Sequence, residues 1–293
     1  RSRGLGDVYK RQAKGKDKAK HVVFIGLDGW GAYSLPKADM PNVKKLMEDG
    51  SYTLKKRSAL PSSSAINWAS MFMGAGPELH GYTEWGSKTP ELPSRVLNKN
   101  GIFPTVFQLL RDARPEAEIG CLYEWEGIKY LVDTLSLNYH YHVADCNKTP
   151  KELGNMASAY IKEKHPALVA ICYDGPDHTG HTEGHDTPAY YEKLKELDIY
   201  VGQIVQAVKD AGILDDTIFI LTSDHGGIDK GHGGKTMQEM ETAFIISGKN
   251  IKKGLRFDDV SMMQYDVAST IASIFNLEQP QVWIGRPMKI VFK

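Results

Sequence analysis

Cysteine is scarce in this chain: three in 293 residues, Cys121, Cys146 and Cys172, with no close spacing among them. That excludes a disulfide framework. Two of the three sit in apolar strand-like runs, "IGCLY" and "VAICY", and read as core residues. Net charge is missing too, because 36 basic residues balance 36 acidic ones. No overall field therefore draws the chain to nucleic acid or anionic lipid, and binding of a nucleic-acid duplex is not expected. No apolar stretch is long enough to span a membrane. Repeats, linkers and charge blocks are absent beyond the first residues. What is present is ordinary for a globular protein, 41% apolar and 25% charged, together with ten histidines whose positions matter.

The first residues stand apart. "RSRGLGDVYKRQAKGKDKAK" is basic and without periodicity, and "GDVYKRQ" looks like translated adapter or cloning sequence. Residues 1–18 are read as a disordered or non-native tail and residues 19–293 as one catalytic domain. The native start is expected to be missing, so the lack of a signal peptide carries no information.

Five continuous apolar, β-branched runs predict buried strands at 21–28, 118–123, 167–174, 217–224 and 242–248. Continuity rather than alternation marks strands covered on both faces, as in a parallel sheet. Helical patterns lie between them, at 40–50, 65–74, 103–113, 150–165, 188–212 and 265–276. The longest carries a stripe of Tyr191, Leu194, Leu197, Ile199, Val201, Ile204, Val205 and Val208, ended by Gly212. This alternation predicts an α/β fold, a doubly wound sandwich with a largely parallel central sheet flanked by helices.

Ligand groups in such sheets gather beyond the carboxyl ends of the strands. Three predicted strands end on acid there. "VVFIGLDGWG" places Asp28, "CYDGPDHTGH" places Asp174, Asp177, His178 and His181, and "LTSDHGG" places Asp224 beside His225. A single Asp after a strand is normally a turn former. Three at once, two of them paired with His, are poorly explained as turns. Asp177 and His181 are four apart, which joins their side chains on one helical turn or tight loop. Mixed carboxylate and imidazole donors suit a divalent metal, zinc first. "KGHGG" adds His232. Six ligand-type side chains match two metals with three protein ligands each, an arrangement suited to phosphoryl displacement.

"PSSSAINW", 61–68, offers three hydroxyls just ahead of a buried-looking helix. Serine is a favoured N-cap. It is equally a nucleophile where backbone N–H groups gather to hold an anion. A two-metal centre would activate such an alcohol without a histidine base, which favours the second reading.

In this order, "LDG", "SSSAINWASMFMGAGPELHGY", "PDHTGH", "SDHGG" and "GHGG" resemble the alkaline phosphatase superfamily, most of all its type I phosphodiesterases and nucleotide pyrophosphatases. Matching "MGAGPELHG" to that branch's segment after the nucleophile puts the nucleophile on Ser64 and the branch's Asn on Asn67. The resemblance implies one metal held by Asp177, His181 and His232, and another by Asp28, Asp224, His225 and Ser64. It implies that Asn67 donates a hydrogen bond to a phosphoryl oxygen. It further implies two divalent ions, zinc by expectation, a small phosphoric ester as substrate, a phosphoseryl intermediate, and a periplasmic or secreted setting. Oligomeric state is not implied. Ala65–Ile66 and Met73 depart from the branch's usual residues. The spacing to His232 is more like that of phosphoethanolamine transferases and sulfatases. No C/S-x-P-x-R signature surrounds Ser64, which disfavours sulfate-ester cleavage. The alternatives are a phosphomonoesterase, a sulfatase or phosphoethanolamine-transferase relative, or a metal-binding pseudoenzyme.

Among the remaining candidates, His178 and His185 are read as solvated loop histidines, with substrate contact as the alternative. His80 is expected to order its loop. Asp174 either supports a ligand histidine or ends its strand.

Overall fold

The computed structural model describes residues 15–144 and 150–293. Cys146 lies outside them. Eight strands form one sheet: β1 (His21–Leu27), β2 (Gly50–Arg57), β3 (Ile119–Tyr123), β4 (Tyr139–His142), β5 (Leu168–Tyr173), β6 (Thr217–Thr222), β7 (Glu241–Gly248) and β8 (Leu255–Arg256). Their order is β4-β3-β5-β1-β6-β7-β2-β8. From β4 to β6 every pairing is parallel; β7 runs antiparallel to both β6 and β2. β7 is as apolar as β6 because both its faces are packed into the cores, and burial does not encode direction.

Alternate residues of β1 feed two cores. Val22 and Phe24 face one side, with α2 (Ser64–Met73), α4 (Val106–Ala113) and α9 (Asp266–Ile274). Val23, Ile25 and Leu27 face the other, with α1 (Pro41–Glu48), α5 (Pro150–Lys164) and α7 (Pro188–Asp210). α2 is buried along its whole length, and its Trp68 and Phe72 stack at 5.9 Å with Phe24 edge-on to both. Truncating either aromatic to Ala would cost about 3–5 kcal/mol. In α7 the buried stripe is Tyr190, Leu194, Leu197, Val201, Ile204 and Val208. Ile199 is 61% exposed, since two residues past Leu197 is 200° around a helix.

Three strands have no counterpart in the apolar runs, the two-residue edge strand β8 among them. β2 carries "YTLKKR" and β4 is the edge strand "YHYH". At the other end of the described chain, the Lys18 N–H donates to the Ile274 carbonyl (2.8 Å) and Asp17 pairs with Arg114 (2.6 Å). Among the described residues no helix is long and apolar enough to cross a membrane.

Candidate metal centre

β1 lies between β5 and β6, so three adjacent carboxyl ends deliver Asp28, Asp177 and Asp224 to one place. Gly29 makes the turn after Asp28 with φ +71, and a Cβ there would lie 2.8 Å from the Asp177 Cα. Only glycine permits that approach. Asp177 opens the short helix α6 (Asp177–Glu183), which sets His181 one turn further on, its Nε2 3.1 Å from Asp177 Oδ2.

His181, His225 and His232 share one arrangement. The Nδ1–H of His181 donates to the Lys230 carbonyl (2.9 Å), that of His225 to Gly226 (2.7 Å), and that of His232 to Ser62 (3.0 Å). A carbonyl only accepts, so each Nδ1 is the donor and each Nε2 faces inward. His225 Nε2 points at Ser64 Oγ (3.2 Å), Asp224 Oδ2 (3.2 Å) and Asp28 Oδ1 (3.4 Å). His232 Nε2 lies 3.1 Å from His181 Nε2 and 3.7 Å from Asp177 Oδ1. The His225 and His232 rings stack at 3.8 Å, which joins the two halves of the site.

Two sets of side chains bring ligand atoms within 4.8 Å of one another: Asp177, His181 and His232, and Asp28, Asp177 and His225. The first is the trio implied by the resemblance. In the second Asp177 stands where Asp224 was expected, so Asp177 is common to both. Asp224 still reaches His225, and Ser64 lies beside that imidazole.

These donors fit a cation. Asp28 Oδ1, Asp177 Oδ1 and Asp224 Oδ2 are buried without a hydrogen-bond partner. Burial, then the neighbouring carboxylates, pushes Asp28 well up, and burial with the Asp177 charge raises Asp224 to about 7. Burial also works against the charge on Asp177, but the His181 hydrogen bond and the fields of the three histidines hold its carboxyl low. The Asp177 hydrogen bond raises His181 to about 9, whereas burial lowers His232 to about 4. The upward shifts of His181, Asp28 and Asp224 all favour holding protons in the metal-free site.

Asn67, which the resemblance gives a phosphoryl-oxygen contact, is engaged with the loop before Ser64 in the described structure. Its Oδ1 accepts from the Ala59 N–H (2.7 Å), and its Nδ2 donates toward the carbonyls of Ala59 (3.2 Å), Pro61 (3.2 Å) and Ser63 (3.0 Å). Wholly buried, it braces the loop before Ser64, its amide hydrogens turned toward those carbonyls. Asn67→Ala should therefore lower unfolding free energy by about 2–4 kcal/mol, since an unpaired buried group costs about 1–3 kcal/mol. Denaturant titration checks this; a normal midpoint with a depressed kcat would favour the phosphoryl role.

Other supports carried no local signal. Trp68, one turn after Ser64, donates its indole N–H to Asp28 Oδ2 (2.9 Å), tying α2 to β1. Lys56 looks like a surface lysine yet is wholly buried, and burial lowers its ammonium to about 7. It donates to the Ser223 carbonyl (2.8 Å) and to Gln264, while Ser58 Oγ and Gln264 donate to the Asp224 carbonyl. His178 is exposed as expected; His185 is not solvated but buried. His80 is buried, its Nε2 3.0 Å from Ser70 Oγ.

Fold and cluster together define a protein of the alkaline phosphatase superfamily. Within it, the chain belongs to the type I phosphodiesterase / nucleotide pyrophosphatase family, whose model matches residues 22–248. Among curated proteins, bis(5'-adenosyl)-triphosphatase enpp4 of Mus musculus is 26% identical over 234 residues, covering 76% of this chain and 50% of that protein. GPI ethanolamine phosphate transferase 3 of Schizosaccharomyces pombe is 30% identical over 122 residues, 41% of this chain and 13% of the transferase. The chain thus spans half or less of the length of these relatives. Among solved structures, murine ectonucleotide pyrophosphatase / phosphodiesterase 5 superposes with a TM-score of 0.73 at 14% identity, covering 93% of this chain and 100% of that one. A 2-O GAG sulfatase gives 0.75 at 14% identity, covering 92% and 73%. At such identities the likeness concerns the fold.

Proposed function

We propose that the protein hydrolyses small phosphoric diesters or pyrophosphates with two divalent cations, zinc by preference, through a phosphoseryl intermediate on Ser64. One observation carries this reading. Three imidazoles, each fixed by Nδ1–H to a backbone carbonyl, turn Nε2 toward buried carboxylates, three of whose oxygens lack a partner, beside one alcohol. Ligating histidines are oriented in this way in metal sites. A Ser–His–Asp triad is a poorer description, because its carboxylate would sit on Nδ1. Here Ser64, Asp28 and Asp224 all face the same nitrogen.

Asp177, His181 and His232 would hold one cation, and Asp28, Asp224 and His225 the other, with Asp177 within reach of both. When bound, the cations supply positive charge that lowers the pKa of the Ser64 hydroxyl and offsets charge on the departing oxygen. Ser64 is presented at the first turn of α2, where the Ala65 N–H is tied to the Trp85 carbonyl (3.1 Å). Its Oγ gives up its proton to solvent and forms a bond to phosphorus as the opposite P–O bond breaks, and the leaving group takes that electron pair. Water then attacks phosphorus, the P–Oγ bond breaks, and Ser64 recovers its proton.

The family match and the adenosyl-triphosphatase relative support diesters and pyrophosphates over monoesters. Zinc-loaded protein should hold about two equivalents. It should turn over bis-p-nitrophenyl phosphate faster than p-nitrophenyl phosphate, and p-nitrophenyl sulfate least. Loaded protein inert toward both phosphates would leave a metal-binding pseudoenzyme; preference for the sulfate would overturn the substrate class.

A further inference from the structure

Beside the cation groups lies an imidazole with no part in that chemistry. His185 follows α6 and is 5% exposed. Neither its Nδ1 nor its Nε2 has a hydrogen-bond partner, and leaving such groups unpaired in a core costs free energy. The ring is nevertheless held closely. A Cβ on Gly180 would fall 2.3 Å from Nε2, and one on Gly227 would fall 2.2 Å from Cε1. The Tyr190 ring packs at 5.4 Å, and the His185 N–H donates to the Asp229 carbonyl (2.6 Å). Two glycines thus clear a slot that the imidazole fills.

The slot opens on Asp177. His185 Nε2 lies 3.9 Å from Asp177 Oδ1, itself without a partner. At that distance no hydrogen bond exists, and closure by roughly 1 Å would make one. His185 belongs to neither set of mutually close ligand atoms, so it acts on a cation only through another residue.

We infer that His185 is a positioning residue for Asp177, donating its Nε2–H to Oδ1 and so fixing the carboxylate when the centre is loaded. Asp177 is common to both ligand sets and has an oxygen to spare. In the metal-free state Oδ2 is engaged by His181. Once a cation replaces that proton, nothing else in the described structure restrains Oδ1. A donor at His185 supplies the restraint and pairs its Nε2 with Asp177 Oδ1, leaving only His185 Nδ1 unpaired between the two residues. The role assumes the two-cation centre proposed for the enzyme.

The test uses zinc and the purified full chain. In ¹⁵N-labelled wild type, zinc should bring His185 to the Nε2–H tautomer with that proton shifted downfield and slowed in exchange. A Nδ1–H tautomer in the loaded protein would overturn the role without any variant. In parallel, zinc affinity is measured by competition with a chromophoric chelator. His185→Leu should lose about 10–100-fold in affinity at one site at least. His185→Gln, which keeps a donor near Nε2, should stay within a few-fold of wild type. Unchanged affinity in His185→Leu, or equal losses in both variants, would sink the role while leaving the two-cation centre standing. Wild type that takes up no zinc would defeat both.

Discussion

Ser64→Ala should fold as its parent does and lose turnover of bis-p-nitrophenyl phosphate by about 10⁴-fold or more, the scale on which removing a covalent nucleophile acts. The folded state has little to lose. The Ser64 hydroxyl makes one hydrogen bond, to His225, and Ser63 rather than Ser64 occupies the N-cap of α2. Thermal unfolding followed beside steady-state kinetics separates the two effects. Zinc content should remain near wild type, because the imidazole and carboxylate donors are untouched. A variant retaining near-normal kcat would move the nucleophile elsewhere, Ser63 being the nearest alcohol.

Asp177→Asn should have the largest effect on metal content. Asp177 is shared by the two ligand sets, so its loss is expected to weaken both sites, each by more than about 100-fold. Asp28→Asn should weaken only the site around His225. Elemental analysis after gel filtration distinguishes these outcomes; equal losses in the two variants would contradict a shared carboxylate. Uptake of zinc should also release protons, since ligands must be unprotonated to bind. His181 near 9 and Asp224 near 7 mark the window. Affinity therefore climbs as pH rises through 7 toward 9, and falls as acid returns protons to these groups. In Asp177→Asn the His181 titration should drop back toward its ordinary value, because the Asp177 hydrogen bond is the main cause of its elevation.

The parts of this site that could be read from sequence share a physical property. β1, β5 and β6 are covered on both faces, so they appear as unbroken apolar runs, and the acids that end them stand out. Asp177 and His181 could be paired because four residues make one helical turn. β2 was invisible because "KKR" reads as solvent-facing, and nothing local announces that Lys56 runs beneath the Asp224 backbone. β4 was invisible because an edge strand of alternating Tyr and His need not be apolar. β7 was found but not its direction, since helices cover it as they cover the parallel strands of the sheet. His185 and Asn67 mark a different boundary. A histidine in "EGHD" and an asparagine in a helix look polar, and only the packed molecule shows both to be enclosed. For Asn67 the family likeness supplied the position, while only the fold shows its hydrogen bonds to the loop before Ser64.

The placement of β1 also bears on how the protein yields under stress. Hydrogen exchange and proteolysis open molecules from their least protected borders inward. In this sheet those borders are β4 and β8, and the candidate ligands Asp28, Asp177 and Asp224 follow strands that are neither. Fraying at a margin can thus proceed while the catalytic apparatus stays assembled, and bound ions add their own free energy to the last segment to give way.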